Sequence, residues 1–278
     1  MMGASTKRTP AGADTPWSDQ RPLPSGPQVV FEGKLLNYKN NWKGSVVSSI
    51  LEPVLFLAAM GISLGTLVDQ GGRLGQGVDY LVFLAPGLLA ATAMQTATFE
   101  STYPIMGAFK WHKTFEGILA TPVKARDLVS GHLLFIVFRL VTTLAVFLAV
   151  MAVFGALELP LGLLALPAAV LTGLAFAAPV AAYAAWVKND AGFAALLRFG
   201  IVPMFLFSGT FFPVDQIPGL LQPVAYATPL WHGVSLTRGL SLGDLDPLVA
   251  MVNVGYLAAL VLLGGWLARR QFAKKLVV

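Results

Sequence analysis

"KTFEGILATPVKARDLVSGH", residues 113–132, is a charged island between two apolar runs. It gathers Lys113, Glu116, Lys124, Arg126 and Asp127 in a chain with only 12% charged residues. The flanking runs, about 79–99 and 132–155, are each on the order of 20 residues, the length that crosses a bilayer as a helix. Reading the island as a loop between two spans brings the remaining apolar stretches into the same pattern: 46–67, 161–187, 193–212 and 248–268. Hydrophobic residues make up 56% of the 278, and the mean hydropathy of +0.70 is too high for an ordinary soluble domain. The fold class expected is therefore an all-α polytopic membrane protein with six transmembrane helices across 46–278. The absence of cysteine excludes a disulfide framework and a thiolate metal site.

Basic residues set the orientation. With both termini on one side, fifteen of the nineteen Lys and Arg share that side, Arg73 and Arg238 lie opposite, and Arg139 and Arg198 fall within spans. That asymmetry predicts a bacterial cytoplasmic membrane protein with both ends cytoplasmic. The net charge of +5 then reflects topology and attraction to anionic lipid, with no nucleic-acid partner expected. Residues 1–27, broken by Pro10, Pro16, Pro22, Pro24 and Pro27, are expected to form a disordered cytoplasmic tail, and no cleavable leader is expected.

Residues 28–45 are too polar to span. Phe31, Leu35, Tyr38 and Trp42 recur at i, i+4, i+7 and i+11, a narrow stripe on a helix, with Lys34, Lys39 and Lys43 beside or opposite it. The pattern predicts an interfacial amphipathic helix with its aromatic side in the headgroups; a short helix packed on another element is the alternative. Within the island, Phe115, Ile118 and Leu119 form an apolar patch at helical spacing. Thr121–Pro122 predicts a stop, with Thr121 capping a second helix that begins at Pro122 and runs into the third span. The loop, about 104–131, is read either as a docking knob or as an interfacial helix that closes the connection.

"FEGILATPVKARDLVSGH" resembles the loop after the second span in membrane subunits of type-2 ABC exporters. "SGTFFPVDQIPGLLQPVAYATPLWHGVSLTRGL", residues 208–240, resembles a second segment of the same family, and the six-span plan fits from about residue 28 onward. The likeness runs towards nodulation-type lipo-oligosaccharide exporters and daunorubicin-type drug exporters. It implies that the loop is a coupling helix, with Lys113, Phe115, Glu116, Ile118, Leu119, Thr121, Pro122, Lys124 and Arg126 docking on an ATPase. Glu116 and Arg126 would be polar anchors, and Phe115 and Ile118 the plug. No G-x-x-x-x-G-K-[ST] motif occurs in the chain. The implied partners are thus a separate ABC ATPase in two copies, which would bind the ATP and Mg, and a second membrane subunit, identical or a close paralogue. No cofactor and no catalytic residue are expected in this chain.

The segment at about 213–240 carries Pro213, Pro218, Pro223, Pro229 and Trp231. It is too apolar for a free loop and too broken to cross. Short helices dipping into the outer leaflet fit both facts, as the resemblance also implies; a cap resting on the membrane is the alternative. Arg139 and Arg198, inside predicted spans, are candidates for a substrate path, for snorkelling to the inner interface or for pairing with Glu52 or Glu100. His112, His132 and His232 show no metal-ligand spacing, and His132 is read as part of the loop-to-span junction. A secondary transporter would want a coupling carboxylate in mid-span, and an intramembrane transferase a cluster of His, Asp or Glu at one face. The sequence offers neither.

Overall fold

The computed structural model describes residues 25–59 and 79–276, and the backbone alone for 41–50, 52 and 53. Regular structure among them is entirely helical. Helix α1 spans Gly26–Leu57, α2 Tyr80–Ser101, α3 Tyr103–Met106, α4 Thr114–Leu119, α5 Ala125–Val153 and α6 Ala165–Trp186. There follow α7 Ala191–Leu196, α8 Val202–Phe207, α9 Gln222–Tyr226, α10 Pro229–Ser241 and α11 Pro247–Leu276. A π-helical segment, Gly107–Trp111, continues α3, and another, Leu197–Ile201, joins α7 to α8.

Among the described residues, four stretches are long and apolar enough to cross a membrane: Tyr80–Trp111, Ala125–Val153, Leu161–Trp186 and Pro247–Leu276. The expected fifth span appears as the shorter apolar stretch Ala191–Phe207. At 1.5 Å per residue it is roughly 26 Å long, a little under a hydrocarbon core of about 30 Å. The expected first span coincides with α1 as far as Leu57, and its second half lies outside the described residues. The expected boundary near residue 45 is not a helix end: α1 runs unbroken through it for 32 residues.

Helix α6 is the hub, touching α2, α5, α10 and α11. Its sequence, ALPAAVLTGLAFAAPVAAYAAW, explains the role, because small side chains let neighbouring backbones approach without any hydrophobic drive from lipid. A Cβ on Gly173 would sit 2.6 Å from Leu140 of α5 and 3.1 Å from the Ala93 carbonyl of α2. One on Gly264 of α11 would sit 2.6 Å from the Pro179 nitrogen. Two large apolar clusters result, beside a small one of Val214, Ile217 and Ala225 in the proline-rich segment. One fills the middle of the bundle around Leu84, Met94, Leu140, Phe147 and Leu230. The other gathers Phe109, Phe115, Leu128, Phe193 and Phe272 at the end that carries α4. That basic end and the opposite, proline-rich end carry the candidate sites.

Candidate functional site

At the basic end, the chain leaves α2 through α3 and its π segment, then reverses at Lys113, whose φ of 48° is left-handed. Such a turn costs a non-glycine residue about 1–2 kcal/mol. Aromatic burial offsets it. Phe115 is 2% exposed, and its ring lies 4.9 Å from Phe109 and 5.6 Å from Phe272 of α11. Two corrections to the sequence expectation follow. Phe115 faces into its own chain, so it anchors the loop and cannot be a plug for a partner. Thr121 does not cap a second helix either: its hydroxyl donates to the Ile118 carbonyl at 2.6 Å and closes α4. The next helix starts at Ala125, because the Asp127 carboxylate accepts from the Lys124 N–H at 3.1 Å.

The surface left outward consists of Lys113, Glu116, Gly117, Ala120, Thr121, Pro122, Lys124 and Arg126, with Ile118 and Leu119 half-buried at its edge. It is a charged, proline-stiffened ridge on an aromatic base.

Between this ridge and the bundle lies a group of charges. The Arg139 Nε donates to Glu100 at 3.1 Å, and its guanidinium stacks 4.8 Å from the Tyr38 ring. Lys34 lies 5.6 Å from the Phe135 ring. Burial lowers its pKa to about 8, partly opposed by the nearby Glu100. His132 is 1% exposed, and neither ring nitrogen has a hydrogen-bond partner among the described residues. Sequence reasoning takes His132 as a simple junction residue and Lys34 as a flank of the aromatic stripe, and misses the burial of Lys34 near Glu100. Of the expected partners of Arg139, Glu100 is the one used; the Glu52 side chain lies outside the described residues. Arg198, by contrast, is exposed on the π segment beside Phe199, which is 82% exposed.

The aromatic stripe of α1 is covered by protein. Phe31 meets Phe138 at 6.2 Å, and Tyr38 meets Phe138 at 5.8 Å and Phe135 at 6.3 Å, with Leu35 half-buried between. This corrects the headgroup-facing expectation in favour of its alternative, because α5 begins low enough to receive the stripe. Glycine makes the fit possible: a Cβ on Gly131 would sit 2.6 Å from the Pro27 carbonyl and from Val30. The Trp42 side chain lies outside the described residues.

The proline-rich end is built the other way round. Pro213 leads into a 3-10 turn, Val214–Gln216; Pro223 and Pro229 occupy first-turn positions of α9 and α10, while Pro218 sits in the loop between. The Thr228 hydroxyl caps α10 by accepting from the Trp231 N–H at 3.3 Å. From α10, polar side chains reach inward. The Thr237 hydroxyl donates to the Pro86 carbonyl at 3.0 Å. Arg238 donates to the carbonyls of Phe83 at 3.2 Å and Gly209 at 2.9 Å, and its guanidinium covers the Phe83 ring at 3.8 Å. Pro86 lies inside the continuous helix α2, where it has no N–H to donate, and these donors bond carbonyls on and beside it. His232 stacks on Tyr256 at 4.0 Å, with Nδ1 2.7 Å from the Asn253 amide oxygen. Outward, Leu220 is 89% exposed and Val224 64%.

Apolar helices bound by small residues, a charged loop on an aromatic base and a proline-rich segment opposite define a multi-pass membrane protein. The ABC-2 type transporter family model matches residues 28–242, and the chain belongs to that family. It is 33% identical over 241 residues to Nodulation protein J of Rhizobium leguminosarum bv. trifolii, covering 85% of this chain and 90% of that one. With Nodulation protein J of Rhizobium meliloti (strain 1021) it shares 31% over 250 residues, 90% of this chain and 93% of the relative. It also resembles the inner membrane transport permease YadH of Escherichia coli (strain K12), at 25% over 211 residues, 75% and 81% of the two chains. The chain is a type-2 ABC permease, the transport membrane subunit of its system.

Proposed function

We propose that the chain is the transmembrane subunit of an ATP-driven exporter that moves an amphiphile out across the bacterial cytoplasmic membrane. The candidate cargoes are a lipid-linked saccharide, a glycolipid or a drug; the likeness to Nodulation protein J favours the first. A separate ATPase, present twice, binds ATP and Mg and docks on the ridge around Glu116, Pro122 and Arg126. A second membrane chain, identical or closely related, completes the conduit. Each chain crosses six times with both termini cytoplasmic, the stretch Ala191–Phe207 making the fifth crossing and α9–α10 dipping into the outer leaflet.

The observation that carries this reading is the division of labour from α4 to the start of α5. Phe115 is fixed into the bundle while Glu116, Thr121, Pro122 and Arg126 stand free of it. A loop that only closed a connection would have no need of a stiff, charged outer face on so rigid a base. The double change Glu116→Ala and Arg126→Ala tests the assignment. Both side chains are exposed, so stability should stay within about 0.5 kcal/mol of wild type. Transport, and stimulation of the ATPase by the membrane subunit, should fall together. Transport at the wild-type rate in this variant would refute the docking assignment.

A further inference from the structure

We infer that a lysine-lined hollow at the basic end binds the phosphate of an anionic phospholipid. The hollow has a volume of about 310 Å³ and lies where the last turns of α6 and α11 meet the π segment after α3. Lys110, Lys188, Lys274 and Lys275 line it, Gln271 adds an amide, and no carboxylate lines it. Four ammonium groups around one concavity repel each other unless an anion sits among them.

Two of the four are held in place. Lys275 donates to the Ala185 carbonyl at 2.8 Å and lies 4.4 Å from the Phe109 ring, and the Lys110 ammonium donates to the Lys188 carbonyl. Lys188 and Lys274 are exposed and free to close on a ligand. One water needs ~10–15 Å³ of such space, so the hollow has room for a headgroup phosphate.

Position argues for lipid over a protein partner. Both helices that form the hollow are apolar spans, so their last turns come out at the level of the headgroups. Trp186, at the rim, is 65% exposed, as an aromatic at the membrane boundary is. Its neighbours Ala185 and Val187 give the hollow an apolar floor beside its charges. Basic pockets between spans on the cytoplasmic side suit phospholipid headgroups. The exporter reading is not required for this inference; the topology reading serves only to place the lipid in the inner leaflet.

The test uses the purified full-length chain, with native mass spectrometry during titration with phosphatidylglycerol or phosphatidylcholine. Lys188→Gln with Lys274→Gln is the informative variant, because neither side chain supports the fold. Wild type should retain phosphatidylglycerol over phosphatidylcholine. The variant should bind phosphatidylglycerol ~25-fold more weakly, at roughly five-fold per basic residue near an anionic surface. Lys39→Gln with Arg270→Gln removes the same net charge outside the hollow and should leave the preference intact. The inference falls if the variant binds like wild type or loses no more than this control. It also falls if millimolar inorganic phosphate, with no anionic lipid present, shields Lys188 and Lys274 from amine labelling as fully as phosphatidylglycerol does. A variant that keeps its lipid but no longer co-purifies with an ATPase would make the hollow a protein-docking surface instead.

Discussion

The two ends of the bundle solve the same problem in opposite ways. In the loop at the basic end, aromatic rings turn inward and charges turn outward: Phe109, Phe115 and Phe272 form the base, and Glu116, Lys124 and Arg126 the surface. At the proline-rich end, hydroxyls, an imidazole and a guanidinium turn inward, and Leu220, Leu221 and Val224 turn outward. An end bathed in water takes its cohesion from apolar burial. An end whose outer face meets lipid gains little from that, and must satisfy its broken helices with internal hydrogen bonds. The contrast supports a soluble partner at one end and contact with the bilayer at the other.

The largest effect expected from breaking this contrast is at the aromatic base. Phe115→Ala empties a site enclosed by Phe109 and Phe272, and should cost about 3–5 kcal/mol, read as a lowered melting temperature of the purified chain. A shift no larger than that of Glu116→Ala would mean that the base is not what holds α4.

That prediction shows where the sequence was readable and where it was not. The apolar runs gave the long helices, because roughly 20 consecutive hydrophobic residues have few other uses. Helical spacing correctly grouped Phe115 with Ile118 and Leu119, and Phe31 with Leu35 and Tyr38. Periodicity says which residues share a face, however, and not what covers it. The cover for Phe115 comes from Phe272, 157 positions further on in the chain, and that for Tyr38 from Phe135 and Phe138. Helix ends were the least legible part. Thr121–Pro122 looks like a cap and first turn, but the Asp127 carboxylate captures the Lys124 N–H and moves the start to Ala125. Arg238 looked like a solitary outer charge because its partners are backbone carbonyls, which carry no side-chain signature.

A smaller effect is expected at the ion pair that lies behind the base. Arg139→Leu leaves Glu100 without its partner and should destabilise the chain by roughly 3 kcal/mol, the low end for a buried pair, since both side chains keep some solvent contact. Adding Glu100→Gln should recover most of the loss. If the single variant is as stable as wild type yet exports an acidic cargo poorly, Arg139 works on the cargo and not as a structural partner.

The smallest effect sharpens the other side of the contrast. Thr237→Val keeps the shape of the side chain and removes the hydroxyl that bonds the Pro86 carbonyl. Hydrogen bonds between helices in a membrane average about 0.6 kcal/mol, so a barely measurable shift in melting temperature is expected. A loss comparable to that of Phe115→Ala would mean that the two ends are held by the same strength of contact after all.

Helix α1 ties the two ends of the bundle together. Its first residue, Gly26, abuts the Asp127 carboxylate that starts α5, and near its far end Phe56 lies 6.2 Å from the Phe211 ring, ahead of the proline-rich turn. Thirty-two residues at 1.5 Å each make a rod of roughly 48 Å. Pivoted at Asp127, a tilt of about 5° would sweep the distant tip through roughly 4 Å, from the same rise per residue. A displacement of α1 at the Asp127 end would therefore be felt beside the turn at the other end.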